Sequence, residues 1–378
     1  MQSNLLRKRV MNKMSHDQSS DFQPAIGSAS NDIQNERHDI TPSLSLTVTL
    51  SAFYVLSGVT QPLIMALAKD AGIADPSCQL YMVAYYLGPA FVSFSVPTGG
   101  WPSTASILKT AGIACFDICA QVLNYTGSAL AGPTLFAIIY SSVTVWTALL
   151  SRVLLGRLMS PLQWLGVAIV FLGLCITGFN SVNLGPKVVH GSLLVTIGSS
   201  MHALTYCLSE SVMTKLEDKV SVQANCAVQG IVAAAFLLAW QVVYTWPRFE
   251  ELIWEPIQES HSSLTKVCIL LVGFSVANFV HALCFFHTLK HFPGGSTSAG
   301  VMKALQAVLV FVFTSILFCG RIGSQEMCFS QLKLISLMIV AGGVALFGKA
   351  THEQHKNIEF RRKGYTPIHG DTKICELL

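Results

Sequence analysis

Residues 154–180 read LLGRLMSPLQWLGVAIVFLGLCITGFN. A glycine–arginine turn closes one apolar run, Ser160-Pro161 makes a polar step, and a second apolar run follows. Between 160 and 180 no residue is charged. About 20 mostly apolar residues is the length a helix needs to cross a bilayer. A membrane β-barrel would instead show ten-residue stretches of alternating polarity, and this continuous run does not alternate.

Working outward, nine further runs have the same character: 44–68, 78–97, 104–126, 130–151, 189–212, 222–245, 265–289, 296–319 and 330–349. Together with 160–180 they predict an all-α integral membrane protein with ten transmembrane helices joined by short loops. The longest connection, 246–264, is acidic, with Glu250, Glu251, Glu255 and Glu259 against Arg248.

Charge supports this class. Only 12% of the 378 residues are Asp, Glu, Lys or Arg, against roughly 25% in average soluble proteins. Residues 1–42 and 351–378 hold 19 of the 44 charges. These read as polar cytoplasmic tails, the first of them disordered by composition. A soluble enzyme, a nucleic-acid binder and a disulfide-stapled secreted module are excluded. No cleavable signal peptide is expected, because no apolar core follows the basic residues Arg7, Lys8, Arg9 and Lys13. Ten of the 11 cysteines lie in or beside apolar runs and are read as small buried hydrophobes.

Ten crossings put both ends on one side. That side and its loops carry 17 Lys and Arg, the opposite loops carry six, and Lys303 falls inside a run. The excess predicts that both termini are cytoplasmic.

The second half copies the first. Gly156-Arg157 corresponds to Gly320-Arg321 under a shift of 164 residues, and Gly173 and Gly178 correspond to Gly343 and Gly348 under a shift of 170. The expected units are a first five-helix repeat at 43–180 and a second at 189–350. Five is odd, so the units insert with opposite topology. Such inverted repeats characterise secondary transporters, with the substrate near the midplane between repeats.

With the run Leu154–Gly166, this organisation resembles the drug/metabolite transporter superfamily of EamA-like proteins. Within it the chain is most similar to solute carrier family 35, the nucleotide-sugar-transporter-like branch, and the Asp117 stretch is similar to its F branch. The resemblance implies an antiporter-like carrier with a central cavity for a polar organic metabolite, in a Golgi, endoplasmic reticulum or other endomembrane. It also implies basic residues on the fourth and ninth helices that meet substrate phosphates. The ninth keeps Lys303. The fourth reads Ile138-Ile139-Tyr140-Ser141-Ser142-Val143, with no cation in its interior. One cation offsets less anionic charge than two, which counts against a nucleoside diphosphate. A nucleotide-sugar antiporter and a non-transporting receptor or scaffold remain the alternatives.

Ionisable residues inside a bilayer are costly and so become functional candidates. Asp117, Gln121 and Asn124 are spaced to share one face of their helix. Asn278, His281 and Thr288 fall on a similar face, and the shift of 164 maps Asp117 onto His281. The two are expected to face the cavity, to pair or to exchange a proton, unless they serve as interhelical hydrogen-bond glue. Lys303 and Gln306 follow one turn apart, and Tyr140 and Ser141 occupy the equivalent place on the fourth helix. His202 and Tyr206 form another polar pair, Glu210 reads as a solvated helix-end residue, and Tyr81, Tyr85 and Tyr86 read as interfacial belt residues. Gly132-Pro133 and Gly294-Gly295 read as helix starts and hinges.

The expected partners are a small polar metabolite and the lipid bilayer, with no nucleic acid, metal or cofactor; a homodimer is left open. Three short matches carry little weight: the sequon at Asn124, a sorting signal at Tyr365 and a prenylation box at Cys375. No intramembrane HExxH or GxSxG motif supports an enzyme.

Overall fold

The computed structural model describes residues 44–131, 136, 139–178, 186–320, 328 and 331–364. The tail 1–42, Gly132-Pro133, Ile138, Arg321, the Tyr365 signal and the Cys375 box lie outside the described residues. Every regular element among the described residues is helical. We number the main helices α1 (Leu44–Asp70), α2 (Leu80–Phe91), α3 (Thr104–Ala131), α4 (Val143–Leu154), α5 (Pro161–Gly178), α6 (Pro186–Thr214), α7 (Val222–Trp240), α8 (Leu264–His291), α9 (Gly295–Phe318) and α10 (Gln331–Gly364). From Ser45 onward they form one unit.

Six segments are long and apolar enough to cross a membrane: Ser45–Asp70, Thr104–Ser128, Val222–Arg248, Leu264–His291, Gly295–Phe318 and Leu334–Ile358. Apolar helices at Leu80–Ser95, Val143–Leu154 and Pro161–Gly173 are shorter. α6 is long enough but not apolar enough, because its inner face carries Ser199, His202, Thr205, Ser209 and Glu210, all buried. Its polarity is turned inward. The outer surface of the bundle is apolar, with Val153, Ile269, Ile316 and Met338 all exposed, as a lipid-facing wall requires.

Hydrogen bonds sort the loops to two ends. At one, Tyr125 Oη donates to the Ala74 carbonyl (2.6 Å), Trp240 Nε1 to that of Ser77 (3.1 Å) and Gln241 Nε2 to that of Cys78 (2.7 Å). Lys266 pairs with Asp70 there at 3.3 Å. At the other end Ser103 N–H donates to Asp218 (2.8 Å), Lys215 Nζ to the Leu155 carbonyl (2.6 Å) and Gln163 Nε2 to Thr351 (3.0 Å). We call these the far end and the tail end. Successive helices alternate in direction wherever these contacts fix it.

Three sequence expectations change. α10 runs on through residue 364, into the stretch read as tail; no proline or glycine interrupts 351–363, and Lys349 and Glu353 pair along the helix at 4.0 Å. The acidic connection is helical too: past Trp240 the chain winds in π turns at Gln241–Thr245 and Glu250–Trp254, divided by a tighter turn holding Pro247. Cys319 and Cys328 form a disulfide across the α9–α10 loop. These two cysteines are therefore not inert hydrophobes, because a short loop brings their Cα atoms to 4.7 Å.

Close packing depends on missing side chains. Gly166 on α5 meets Gly343 and Phe347 on α10, and a Cβ at Gly343 would sit 2.9 Å from the Val170 backbone. Ser336 Oγ donates to the Gly173 carbonyl across the same seam (2.6 Å). Small residues let membrane helices approach closely enough for dispersion and such hydrogen bonds to hold them.

Candidate functional site

A cavity of about 70 Å³ lies inside the bundle, walled by residues of α2, α3, the approach to α4, α6, α7, α8 and α9. Its wall includes Tyr85, Tyr86, Asp117, Tyr140, His202, Tyr206, Gln229, Asn278, His281, Phe285 and Lys303. Its polar groups form two clusters.

The first is built on a carboxylate. Asp117 Oδ2 accepts from Tyr86 Oη at 2.6 Å, and its Oδ1 faces His202 Nε2 at 3.5 Å. On the other side of the imidazole, Asn124 Nδ2 lies 3.1 Å and Tyr140 Oη 3.3 Å from Nδ1. With both donating, Nδ1 is the acceptor and the ring proton sits on Nε2, toward Asp117. Tyr206 stacks on the same imidazole at 6.3 Å.

The second cluster is built on an ammonium. Lys303 Nζ lies 3.2 Å from His281 Nε2. An ammonium only donates, so Nε2 accepts and Nδ1 carries the proton, which it gives to Ser57 Oγ at 3.2 Å. Tyr54 stacks on His281 at 4.8 Å, and Lys303 Nζ lies 6.0 Å from the centre of the Tyr54 ring. In this assignment both imidazoles are neutral. One carboxylate and one ammonium therefore share a cavity, and they do not form one of the ion pairs among the described residues.

The predicted residues divide. Asp117, Tyr140, His281 and Lys303 come together on the cavity wall. Asn124 reaches it through His202. Gln121 does not line it: at 100° per residue, Asn124 returns to within about 20° of Asp117, whereas Gln121 is turned about 40° away. Gln306 is buried but spends its amide on the Tyr54 carbonyl (2.8 Å), tying α9 to α1. Ser141 is buried away from the cavity. Asp117 and His281 do not pair with each other; each takes a different partner.

Sequence reasoning undervalued Tyr85 and Tyr86, which line the cavity rather than an interfacial belt, while Tyr81 packs against Tyr125 at 4.7 Å. Asn278 bridges Gln61 (2.8 Å) and the Tyr85 carbonyl (2.6 Å). Glu210 is not solvated: it is 4% exposed and paired with Arg157. The signal for Glu210 was available in its position one residue after Ser209, on the polar face of α6.

Residues 48–179 match the EamA-like transporter family. This is the superfamily to which the Leu-Gly-Arg and Leu-Gln-Trp-Leu-Gly motifs pointed. The chain is 20% identical over 242 residues to solute carrier family 35 member F6 of Mus musculus, covering 61% of this chain and 63% of that one. It is 26% identical over 132 residues to the uncharacterized protein C12G12.12 of Schizosaccharomyces pombe, covering 34% and 40%. The matched segments thus span less than two thirds of these relatives. A solved crystal structure shares the fold with a TM-score of 0.57 at 15% identity, covering 78% of this chain and 98% of that one. The chain is a multi-pass membrane protein similar to transporters.

Proposed function

We propose that the protein is a secondary transporter that moves a small polar organic metabolite across an endomembrane by alternating access, between two inverted five-helix repeats. The observation that carries this reading is the pair of opposite charges, Asp117 and Lys303, held on one cavity wall inside an apolar bundle. Charges so placed are costly and are kept for ion or substrate pathways.

A cavity of about 70 Å³ is well below the roughly 300–1,000 Å³ of ligand pockets. A metabolite enters only when the bundle opens at one end. The repeat-related helices α4 and α9 both end at a left-handed glycine, Gly156 (φ 64°) and Gly320 (φ 72°), which favours the duplicated architecture. One ammonium balanced by one carboxylate favours a compact solute over a nucleotide sugar. α9 begins at the tail end, where Ser296 meets Glu210, so the Cys319–Cys328 disulfide beyond its other end lies at the far end. Disulfides persist on the oxidising side of a membrane, which favours the lumen for this end and the cytoplasm for the basic tail end.

The test is uptake in reconstituted vesicles, with ligands chosen by thermal shift from nucleotide sugars, nucleoside monophosphates, vitamins and amines. Lys303→Ala and Asp117→Ala are expected to abolish uptake at unchanged protein level and insertion. Normal uptake in both variants would sink the site assignment, and stabilisation by nucleotide sugars alone would favour the antiporter alternative.

A further inference from the structure

At the tail end of the bundle a half-buried arginine meets a buried carboxylate. Arg157, just past α4, donates from Nη2 to Glu210 Oε1 at 2.5 Å and from Nη1 to the Gly294 carbonyl at 2.6 Å. Glu210 Oε2 in turn accepts the backbone N–H of Ser296 at 2.7 Å, in the first turn of α9. A carboxylate there satisfies an orphan helix N–H and meets the positive end of the helix dipole. Three elements thus meet on one side chain: the α4–α5 loop, α6 and the start of α9.

This contact adjoins the cavity. His202, Thr205, Tyr206 and Ser209 line the cavity from α6, and Glu210 is the next residue. α9 begins eight residues before Lys303, so movement of its first turns is transmitted along a rigid helix to the ammonium. Directly beneath lies Cys207, fully buried, with its sulfur 3.5 Å from Ser296 Oγ and 3.6 Å from Ser151 Oγ.

The physics suits a contact that opens and closes. Taking the Glu210 carboxylate and most of the Arg157 guanidinium out of water is costly, and their attraction does little more than offset that cost. When this end opens to water both ions are rehydrated, so parting them costs far less than parting the same ions in a dry core. An apolar seam of similar size has no such compensation, since opening it exposes hydrocarbon to water.

We propose that Arg157 and Glu210 form the tail-side gate of the carrier: access to the cavity from that end requires their bridge to break and the first turn of α9 to be released. The gate rests on the transport reading of the cavity, but its test needs no substrate.

Full-length protein in vesicles is treated with N-ethylmaleimide, and the labelling rate of each cysteine is read by peptide mass spectrometry. Arg157→Gln and Glu210→Gln are expected to speed labelling of Cys207 roughly tenfold, the equivalent of about 1.4 kcal/mol in opening. Cys78, buried at the far end, keeps its wild-type rate. Arg157→Lys, which retains the charge, stays near wild type. Should Glu210→Gln fail to fold, the Arg157→Lys and Arg157→Gln pair carries the test, since Arg157 is the more exposed partner. Unchanged Cys207 labelling in folded Arg157→Gln overturns the gate. An equal rise at Cys78 also overturns it, because it marks a merely structural ion pair. A selective Cys207 response beside normal uptake in Lys303→Ala would keep the gate and discard the substrate site.

Discussion

The two ends of the bundle are each pinched at a glycine, but against different partners. At the far end Gly72 (φ 79°) lies against the backbone of Pro256 and Ile257. At the tail end Gly295 (φ 44°) lies against the carboxylate of Glu210. A backbone carbonyl in a helical turn is fixed, whereas a carboxylate swings on its own rotamers. The far end leaves its Lys266–Asp70 ion pair exposed and closes with neutral groups, Gln241 and Thr245 on the Cys78 carbonyl and the Tyr81–Tyr125 ring pair. The tail end closes on the buried Glu210 carboxylate and its arginine. One end is built to hold and the other to part.

The largest effect expected from this contrast is at the glycines. Gly72→Ala forces a left-handed side chain, costing about 1–2 kcal/mol, and adds overpacking against backbone, costing about 1–3 more. Gly295→Ala bears the first cost and only part of the second, since Glu210 moves aside by loosening its bonds to Arg157 and Ser296. Thermal unfolding should therefore rank Gly72→Ala as the more damaging, and equal or reversed losses would break the comparison.

Next comes the α9–α10 clip. Reduction, or Cys328→Ser, should cost about 2–3 kcal/mol of far-end stability by the loop-closure argument. The pair should resist a membrane-impermeant maleimide until reduced, with reductant acting only from the lumenal face. Free thiols in sealed, unreduced vesicles would reverse the assigned orientation.

The smallest effect concerns Asp75, in the α1–α2 loop. Burial would raise its pKa, but hydrogen bonds from the Ser77 hydroxyl and the amides of Cys78 (3.0 Å) and Ser77 (2.7 Å) outweigh it and hold the carboxyl below its ordinary value of 3.8. Its contribution is complete above that ordinary value and is lost as pH falls through the lowered one. Asp75→Ala, which removes the acceptor, should cost about 1 kcal/mol at neutral pH and flatten that acid limb in far-end hydrogen exchange. No change at either pH would remove Asp75 from the far-end clasp.

Some of this was legible in the chain and some was not. Asp117 and Lys303 stood out because a charge is conspicuous in an apolar run. Tyr85 and Tyr86 did not, because a tyrosine serves equally well at a membrane interface or a cavity wall. Only the rotation of α2, fixed where Gly88 lies against the Ser275 carbonyl on α8, turns Tyr86 to Asp117. His202 stands out in the sequence as half of a polar pair with Tyr206, yet its partnership with Asp117 joins side chains 85 positions apart. Glu210 was misread because distance from a helix end says nothing about what covers that end.

The sequence by itself determined that this chain is helical and membrane-embedded, which superfamily it resembles and where its costly charges lie. Those properties follow from side-chain transfer energies and helix length, which act locally. Tertiary structure alone decided which imidazole meets which charge, which end closes on a buried carboxylate and which cysteines join. Each of these depends on helix rotation and on contacts between residues far apart in the chain, and packing sets both.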